Sequence, residues 1–336
     1  MKVTHLVRLL ALFLVVVGVA GIAAAQSGNY TVSAPYTYKN LSIFLIHGKD
    51  ESKKGNIMTL QEAMEKTLFR VYETGEVNEL EVENLSKEFD VFIQSGDIVK
   101  GGRQDRILAV SIIIPARSGR VKIDSFCVEH GRWTKRGEED STKFTSSNDR
   151  IVTKELKIAA NSSRSQQEVW NKVSEAQANL GKNVGGSVTG ASASSLQLSL
   201  EDKKVVANID EYIRKLGSIV DGKSDVIGYA FAVNGQINSA DIYVSNGLFK
   251  KLWPKMLKAS ATEAVAAQRG IRLADPVKAT AIKGFLDDAE KAKPTDTRSA
   301  AAGAKVTTRE DRDNVMIEAV DEKSKTVVHR SYVKKP

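Results

Sequence analysis

Short alternating runs of apolar and polar residues dominate the first half of the chain. The runs FRVYE, ELEVEN, DVFIQ and RVKIDSFCV are each five to nine residues long, and glycine-bearing turns separate them. Residues two apart in a strand share a face, so this alternation is typical of strands with one buried face. The pattern predicts an antiparallel, β-rich region over residues 37–160.

The run ILAVSIII at residues 107–114 is different because it is apolar on both alternating faces. A strand that is covered on both sides has this composition, so the run predicts one central strand. The strand RVKIDSFCV at 120–128 follows after the turn PARSG. We expect the two strands to pair as a hairpin, which brings the residues before Ile107 next to the residues after Val128.

Helical spacing replaces the alternation after about residue 160. Apolar residues recur every three or four positions in SQQEVWNKVSEAQANLGKN, where Gly181 is the expected stop, and in EDKKVVANIDEYIRKLG. VIGYAFAVN and QINSADIYV then predict a hairpin that turns at Asn234-Gly235. A further helix follows, in which Pro254 indicates a kink or a late start. Residues 161–270 are therefore expected to be mainly helical with one hairpin.

The remaining segments are short. Residues 271–291 predict a helix with Pro276 at its first position. Residues 292–312 are small and polar, which is typical of a linker, and residues 313–336 predict a terminal hairpin. The predicted fold class is α+β, with a β-rich antiparallel N-terminal half packed against a helical and hairpin C-terminal half.

The first 25 residues have the features of a secretory signal. Lys2 and Arg8 precede an apolar run that closes on Ala23-Ala24-Ala25, and this order predicts cleavage after Ala25. The alternative is an uncleaved anchor, although the run is slightly shorter than the roughly 20 residues of a membrane span. No later segment is apolar enough to cross a bilayer. We expect a soluble mature protein, without a membrane segment, in the periplasm or outside the cell.

Charge and cysteine content narrow the function classes. The formal net charge of +8 falls to +6 when Lys2 and Arg8 are removed, and the basic residues are spread along the chain, which argues against nucleic-acid binding. Cys127 is the only cysteine, so no internal disulfide can form. A buried strand residue is the simpler interpretation of Cys127, and a nucleophile is the alternative.

No metal site is predicted, because no two histidines have the spacing of zinc ligands. A site that combines His130, Glu129 and distant carboxylates stays open as an alternative. Asp241 follows the Asn234-Gly235 turn and is either an acidic site residue or, more simply, part of a solvated turn. The sequence indicates no particular cofactor.

Two polar turns flank the predicted hairpin of strands 107–114 and 120–128 and carry the candidate chemistry. Antiparallel pairing places both turns at one edge of the sheet. Arginine binds carboxylate or phosphate through two parallel hydrogen bonds, and tryptophan offers a stacking face. His130 is the natural acid/base group, with Glu129 beside it in sequence. The candidate residues are Gly101, Gly102, Arg103, Gln104, Asp105, Arg106, Cys127, Glu129, His130, Arg132 and Trp133.

The ordered runs TLQEAMEKTLFRVYETGEVNELEVEN, SGDIVKGGRQDRIL, VKIDSFCVEHGRW, QQEVWNKV and IGYAFAVNGQINSADIYVSNGLFKKLWPKML resemble a known family. It is the ADP-ribosylglycohydrolase and rhodanese-phosphatase-superfamily-associated protein domain, and the resemblance covers about residues 40–270. GGRQDR and CVEHGRW are its most specific pieces. The resemblance implies no particular reaction. It implies that the recurrent positions of the family are Gly101, Gly102, Gln104, Arg106, Cys127, Glu129, Gly131, Arg132 and Trp133.

Two functions from different classes follow from the sequence. In the first, the protein binds or processes an ADP-ribose-like or phosphorylated small molecule. Arg103, Arg106 and Arg132 then hold the anion, and His130 and Glu129 supply acid/base chemistry. In the second, the protein is a non-catalytic exported interaction module, and the same residues form a buried polar network that satisfies the end of a sheet.

Overall fold

The structure is a computed structural model, and it describes residues 30–52, 56–131, 142–190, 192–268 and 275–336. Within these ranges the chain forms 18 β-strands and seven α-helices, and almost all strand pairs are antiparallel. The predicted α+β class is confirmed, and the fold is rich in strands. None of the helices in these ranges combines the length and apolar character that a bilayer crossing requires.

The strands are, in chain order, β1 (Thr31–Val32), β2 (Tyr36–Tyr38), β3 (Leu41–His47), β4 (Ile57–Thr59), β5 (Phe69–Glu73), β6 (Glu79–Asn84), β7 (Asp90–Ile93), β8 (Asp97–Gly101), β9 (Arg106–Leu108), β10 (Ile112–Ile114), β11 (Arg120–Cys127), β12 (Phe144–Arg150), β13 (Val226–Val233), β14 (Gln236–Tyr243), β15 (Pro294–Ala300), β16 (Ala304–Glu310), β17 (Asn314–Asp321) and β18 (Thr326–Lys334). The α-helices are α1 (Leu60–Glu65), α2 (Lys154–Ile158), α3 (Gln166–Val184), α4 (Leu196–Leu200), α5 (Lys203–Leu216), α6 (Asn246–Ala266) and α7 (Ala279–Lys291). A π-helical turn, Ala159–Ser163, continues directly from α2.

The largest sheet joins strands from both ends of the described chain. Its order is β1-β3-β13-β14-β18-β17-β16-β15, and β2 also pairs with β3. β3 therefore pairs with β13, which lies almost two hundred residues later, and β18 lies between β14 and β17. Strands from both halves of the chain are therefore joined in one sheet, with β1, β2 and β3 at one edge and the six strands β13 to β18 beside them.

Two smaller sheets hold the polar turns that were predicted as a site. One has the order β12-β8-β9-β11-β6-β5, and the other has the order β10-β7-β4 with a parallel pair between β4 and β7. β9 and β11 pair in the predicted antiparallel manner, with Cys127 opposite Arg106 and Ser125 opposite Leu108. The expected hairpin neighbourhood is therefore present.

Three apolar cores hold the layers together. The first lies between one face of the largest sheet and helices α3, α5 and α6, and it includes Ile43 and Leu45. The alternate residues Phe44 and Ile46 of the same strand belong to a core beneath α7. Successive strand residues point to opposite faces, so β3 is buried on both sides. The other core fills the space beside the two smaller sheets.

Several local predictions are confirmed. The spacing of Thr59 and Glu62, three residues apart before a helical pattern, predicts a capping box, and in the structure Thr59 caps α1 while Glu62 bonds back to the Thr59 backbone. Asn234 and Gly235 both have positive φ, 53° and 73°, which is the type I′ conformation expected for the hairpin between β13 and β14. α6 begins before Pro254 and continues beyond it, so the alternative of a late helix start is wrong.

The predicted central strand ILAVSIII is divided into β9 and β10. β9 pairs with β11, whereas β10 turns away and pairs with β7 in the three-stranded sheet. Ala109 to Ser111 form the break, in which the Ala109 N–H donates to the Asp124 carbonyl. Both short strands are buried, so the run has the composition of a single central strand although it forms two.

Residues 292–312 do not form a linker. They contain β15 and β16, which extend the largest sheet at one edge. Most residues of β15 are exposed, and an exposed edge strand needs few apolar side chains because backbone pairing holds it in place. Two helix limits were also wrong: α3 passes Gly181 and ends at Gly185, and α7 begins at Ala279 rather than at Pro276.

Candidate functional site

The two predicted polar turns meet at the edge of the six-stranded sheet. Gln104 Nε2 donates a hydrogen bond of 2.9 Å to the backbone carbonyl of Glu129. The Asp105 backbone N–H lies 3.4 Å from Glu129 Oε2. This contact follows from the pairing of Arg106 with Cys127, which sets the residues before β9 beside those after β11.

This group of residues, which we call the Gln104 corner, consists of Gln104, Asp105, Arg106, Cys127 and Glu129 and is almost fully buried. Gln104 Oε1 accepts from Arg106 at 3.2 Å and from the Cys127 thiol at 2.9 Å. Glu73 accepts a second bond from Arg106 at 3.4 Å. The Gln104 corner is a connected internal network, and its members bond to one another rather than face solvent.

Asp105 ties the Gln104 corner to the helical part of the fold. Its carboxylate accepts from the Gly101 backbone at 2.9 Å and from the Ser195 hydroxyl at 3.0 Å. Ser195 also caps α4. Gly102 has a φ of 56°, and a Cβ there would lie 2.4 Å from the Phe144 ring. The glycine that was selected as a ligand position is therefore required by the packing of the turn.

Two exposed residues of the predicted site, Arg103 and His130, do not take part in the Gln104 corner. Arg103 is exposed, and its backbone N–H donates to Glu73. The His130 ring is exposed and packs edge-to-face against Trp170 of α3, with ring centroids 4.4 Å apart. The predicted acid/base partners thus have different neighbours, because the Glu129 carboxylate faces the Asp105 backbone. Arg132 and Trp133 lie outside the described residues.

A second polar cluster, which sequence reasoning missed, surrounds His329 of β18. His329 Nε2 lies 3.1 Å from Asp241 Oδ1 on the neighbouring strand β14. His329 Nδ1 lies 2.9 Å from the hydroxyl of Ser111, which belongs to the break between β9 and β10. The imidazole stacks on Tyr243 with ring centroids 4.8 Å apart. All three members of the Ser111–His329–Asp241 chain are buried.

Charge determines which nitrogen of His329 carries the proton. Burial by itself would raise the pKa of Asp241. The hydrogen bond from His329 and the charges of Arg150 and Lys157 outweigh burial, and the pKa of Asp241 lies below its usual range. An ionised carboxylate only accepts hydrogen bonds, so Nε2 must be the protonated nitrogen. In the neutral tautomer with its proton on Nε2, Nδ1 accepts from the Ser111 hydroxyl.

Cationic side chains lie beside this chain of three residues. Arg150, at the end of β12, lies 3.8 Å from Asp241 Oδ2 and donates to the Ser95 carbonyl at 2.8 Å. Arg150 Nε is buried and has no hydrogen-bond partner within the described ranges. Lys157 of α2 donates to the Ser239 hydroxyl at 2.8 Å, and burial lowers its pKa. Both cations are held away from bulk water.

These groups line a narrow cavity, which we call the His329 cavity. The space open to the centres of water molecules is about 20 Å³, enough for one water and far below that of a pocket for a whole nucleotide. The π-helical turn supplies Asn161 to the wall, and such turns are frequent at functional sites. The polar and charged residues of the lining are Ser95, Ser111, Arg150, Lys157, Asn161, Arg298, His329 and Ser331.

Asp241 was interpreted more simply as part of a solvated turn, and that interpretation is wrong. Asp241 is 1 % exposed and lies within β14. The available signal was the surrounding run ADIYV, because a charge inside an apolar strand must be paired when the strand is buried. The partner His329 could not be identified from spacing, since β14 and β18 meet only through the sheet.

Metal-binding geometry is not found in the described ranges, where no three residues of the His, Cys, Asp or Glu types are arranged to hold an ion. The alternative of a metal site at His130 and Glu129 therefore gains no support from these ranges. The functional groups at the His329 cavity are the hydroxyl of Ser111, the imidazole of His329 and the carboxylate of Asp241, joined by hydrogen bonds, with cationic side chains beside them.

A comparison with known families gives one match. The model of the ARG and Rhodanese-Phosphatase-superfamily-associated Protein domain matches residues 29–333. The match is longer than the resemblance over about residues 40–270, because it also includes α7 and the strands β15 to β18. No curated protein and no solved structure matches the chain.

Proposed function

This chain belongs to the ARG and Rhodanese-Phosphatase-superfamily-associated Protein domain family, and we propose that it binds the anionic group of a small molecule in the His329 cavity. The ligand class is a phosphorylated or ADP-ribose-like molecule, as the family name suggests. The narrow part of the cavity has about the size of one water molecule, so an oxygen atom of the anionic group would enter it. The rest of such a ligand lies outside the narrow part.

The observation that carries this proposal is the convergence of Arg150, Lys157 and Arg298 on one small cavity. Burial lowers the pKa of Lys157 and, together with the charge of Arg164, that of Arg298. A buried cation is costly unless it is paired and hydrogen-bonded. The contact of Arg150 with Asp241 is long, at 3.8 Å. Lys157 donates to the uncharged Ser239 hydroxyl, and Arg298 lies 3.5 Å from Asp296. An anion in the cavity would add a negative charge beside Arg150 and Lys157.

A thermal-shift experiment tests the proposal on the purified protein. Inorganic phosphate, ribose 5-phosphate and ADP-ribose are compared with ribose and adenosine, which lack the anionic group. A ligand that binds only the folded state raises the melting temperature by mass action. We expect the phosphorylated compounds alone to raise it. The proposal fails if no anion does so, or if uncharged ribose has the same effect.

A matched pair of variants locates the binding. Lys157→Met removes a cation from the cavity wall but keeps most of the apolar stem, and Lys203→Met removes the same charge from the exposed start of α5. We expect the phosphate-dependent shift to disappear in the first variant and to persist in the second. An equal shift in both variants would place binding elsewhere on the protein.

The alternative function is a non-catalytic interaction module. The Gln104 corner favours this alternative, because several of the candidate site residues predicted from the sequence form an internal network there. Their polar atoms are buried and bonded within the network. On this hypothesis, substitutions at Gln104 affect folding, and no anion stabilises the protein. The thermal-shift experiment separates the two functions.

We also propose that the protein is exported, with cleavage after Ala25. The basic, apolar and small-residue order of the first 25 residues supports this proposal. Fractionation of the cells that produce the protein and N-terminal sequencing provide the test. We expect a mature chain that begins at Gln26 outside the cytoplasm. An intact Met1 in the cytoplasmic fraction would contradict it.

A further inference from the structure

We propose that Ser111, His329 and Asp241 form a catalytic triad that hydrolyses a small ester bearing an anionic group. The inference rests on the proposed function, since the ester would bind at the His329 cavity with its anionic group beside the same cations. Ser111 and His329 line the cavity and are the catalytic residues. Asp241 acts through His329 and is a positioning residue.

The distances fit the roles of a triad. The Ser111 hydroxyl lies 2.9 Å from His329 Nδ1, and His329 Nε2 lies 3.1 Å from Asp241 Oδ1. A triad is recognised by these relationships and not by the position or order of its residues in the chain. The two ring nitrogens have exchanged places relative to the usual serine-protease arrangement. The exchange leaves the chemistry intact, because each nitrogen can donate or accept a proton.

The surroundings hold the hydroxyl and the imidazole in one orientation. The Ser95 backbone N–H donates to Ser111 Oγ at 3.0 Å, which occupies one acceptor site of the oxygen and leaves its proton available to His329. Stacking on Tyr243 and an edge contact with Phe92 fix the plane of the imidazole. Groups held in this way need little rearrangement before reaction.

The same cavity supplies charge for the transition state. Attack on an ester carbonyl places negative charge on the carbonyl oxygen, and preorganised donors stabilise that charge. Lys157 and Arg150 line the cavity beside Ser111. Ser111, His329, Lys157 and Arg150 border the same water-sized space. The carbonyl oxygen of an ester could enter that space, and this favours catalysis over a purely structural role.

The reaction balances with water as the second substrate. Ser111 Oγ bonds to the carbonyl carbon while its proton passes to His329 Nδ1. The carbon–oxygen bond to the alcohol then breaks, and the alcohol leaves with the proton from His329. Water attacks the acyl group, gives a proton to His329, and the bond to Ser111 Oγ breaks as the serine regains a proton. The products are a carboxylic acid and an alcohol.

Chemical labelling of the wild-type protein tests the triad without a substitution. Methanesulfonyl fluoride is small, and sulfonylation forms a sulfur–oxygen bond as fluoride leaves. We expect one adduct, which peptide mass spectrometry places on Ser111. Ser174→Ala removes an exposed serine of α3, away from the cavity, and should keep the adduct, whereas Ser111→Ala should lose it. An adduct spread over several serines, or none on Ser111, would overturn the triad.

Hydrolysis of 4-nitrophenyl acetate gives an independent readout. We expect Ser111→Ala to lower the rate at least 100-fold, with circular dichroism and the melting temperature checking that the variant folds. Asp241→Asn should lower kcat with little change in KM, because Asp241 positions the base and does not touch the ester. A rate that is unchanged in Ser111→Ala overturns the triad. If that variant does not fold, the labelling of the wild-type protein decides.

The outcomes for the two proposals are separable. A phosphate-dependent thermal shift without labelling of Ser111 supports anion binding and overturns the triad. If Ser111 is labelled but no anion changes the melting temperature, the triad is supported and anion binding is overturned. The proposal that the substrate bears an anionic group is then overturned as well.

Discussion

Gln104 bridges two segments of the Gln104 corner through both ends of its amide. Its Nε2 donates to the Glu129 carbonyl at 2.9 Å, and its Oε1 accepts from Cys127 at 2.9 Å and from Arg106 at 3.2 Å. One buried side chain therefore satisfies groups on both β9 and β11. Its removal would break three hydrogen bonds among buried polar groups.

We predict that Gln104→Ala lowers the free energy of unfolding by about 2–4 kcal/mol, because it breaks three buried hydrogen bonds and the loss of one buried partner costs about 1–3 kcal/mol. Urea unfolding followed by circular dichroism measures the change. Arg103→Ala, at the exposed neighbouring position, is the control and should stay within about 0.5 kcal/mol of wild type. Equal effects of the two substitutions would contradict the network.

Cys127 should be inert in the folded protein. The thiol is buried and donates to Gln104, and a buried thiol cannot be reached by a reagent until the structure opens. We predict that iodoacetamide leaves native Cys127 unmodified over an hour and modifies it fully in urea. Intact mass spectrometry provides the measurement. Rapid alkylation of the native protein would instead favour the nucleophile hypothesis.

Two substitutions of glycine by alanine should change the stability of the protein in opposite directions. Gly235 has a φ of 73° in the β13–β14 turn, where an alanine is strained by roughly 1–2 kcal/mol. Gly284 lies within α7 with no atom near the position of a Cβ. There alanine should stabilise by about 0.5–1 kcal/mol, since glycine loses more entropy in a helix. Melting temperatures should fall for Gly235→Ala and rise for Gly284→Ala.

Low pH should lower the free energy of unfolding, in part because Asp241 becomes protonated. Its pKa is lower in the folded state than in the unfolded chain. The stabilisation is therefore present above the unfolded carboxyl pKa of about 3.9 and is lost as the pH falls towards the folded value. We predict that the unfolding free energy decreases below about pH 4 and that Asp241→Asn decreases less steeply. Urea midpoints between about pH 5 and 3 measure both slopes, and parallel slopes would contradict the prediction.

A part of that acid sensitivity should remain in the variant. Hydrogen bonds from Lys39 and Tyr38 lower the pKa of Glu211 to about 2, and a hydrogen bond from His47 lowers that of Asp225. Both carboxylates are exposed, so solvent screens their contributions. The difference between wild type and Asp241→Asn therefore isolates the buried group.

Features that depend on neighbouring residues could be predicted from the sequence. The Thr59 cap, the Asn234-Gly235 turn and the contact between Gln104 and Glu129 all arise within one turn or one pair of adjacent strands. The division of ILAVSIII could not be predicted, because β9 and β10 are both buried and differ only in which strand each pairs with. The strand β15 escaped notice because an exposed edge carries little apolar periodicity.

The His329 cavity could not be predicted because its members meet only in the finished fold. His329 is 218 residues from Ser111 and 88 residues from Asp241. The pairing of β14 with β18 brings Asp241 next to His329, and Ser111 lies in the break between β9 and β10. Neither the strand pairing nor the break can be predicted from the spacing of residues along the sequence.

The place of β18 between β14 and β17 has a consequence for biosynthesis. β18 leaves the ribosome after both of its neighbours, so β14 carries an open hydrogen-bonding edge until residues 326–334 have been made. Open edges are templates for pairing with other chains. The danger of aggregation is therefore concentrated in the interval between the synthesis of β14 and the arrival of the strand that seals it.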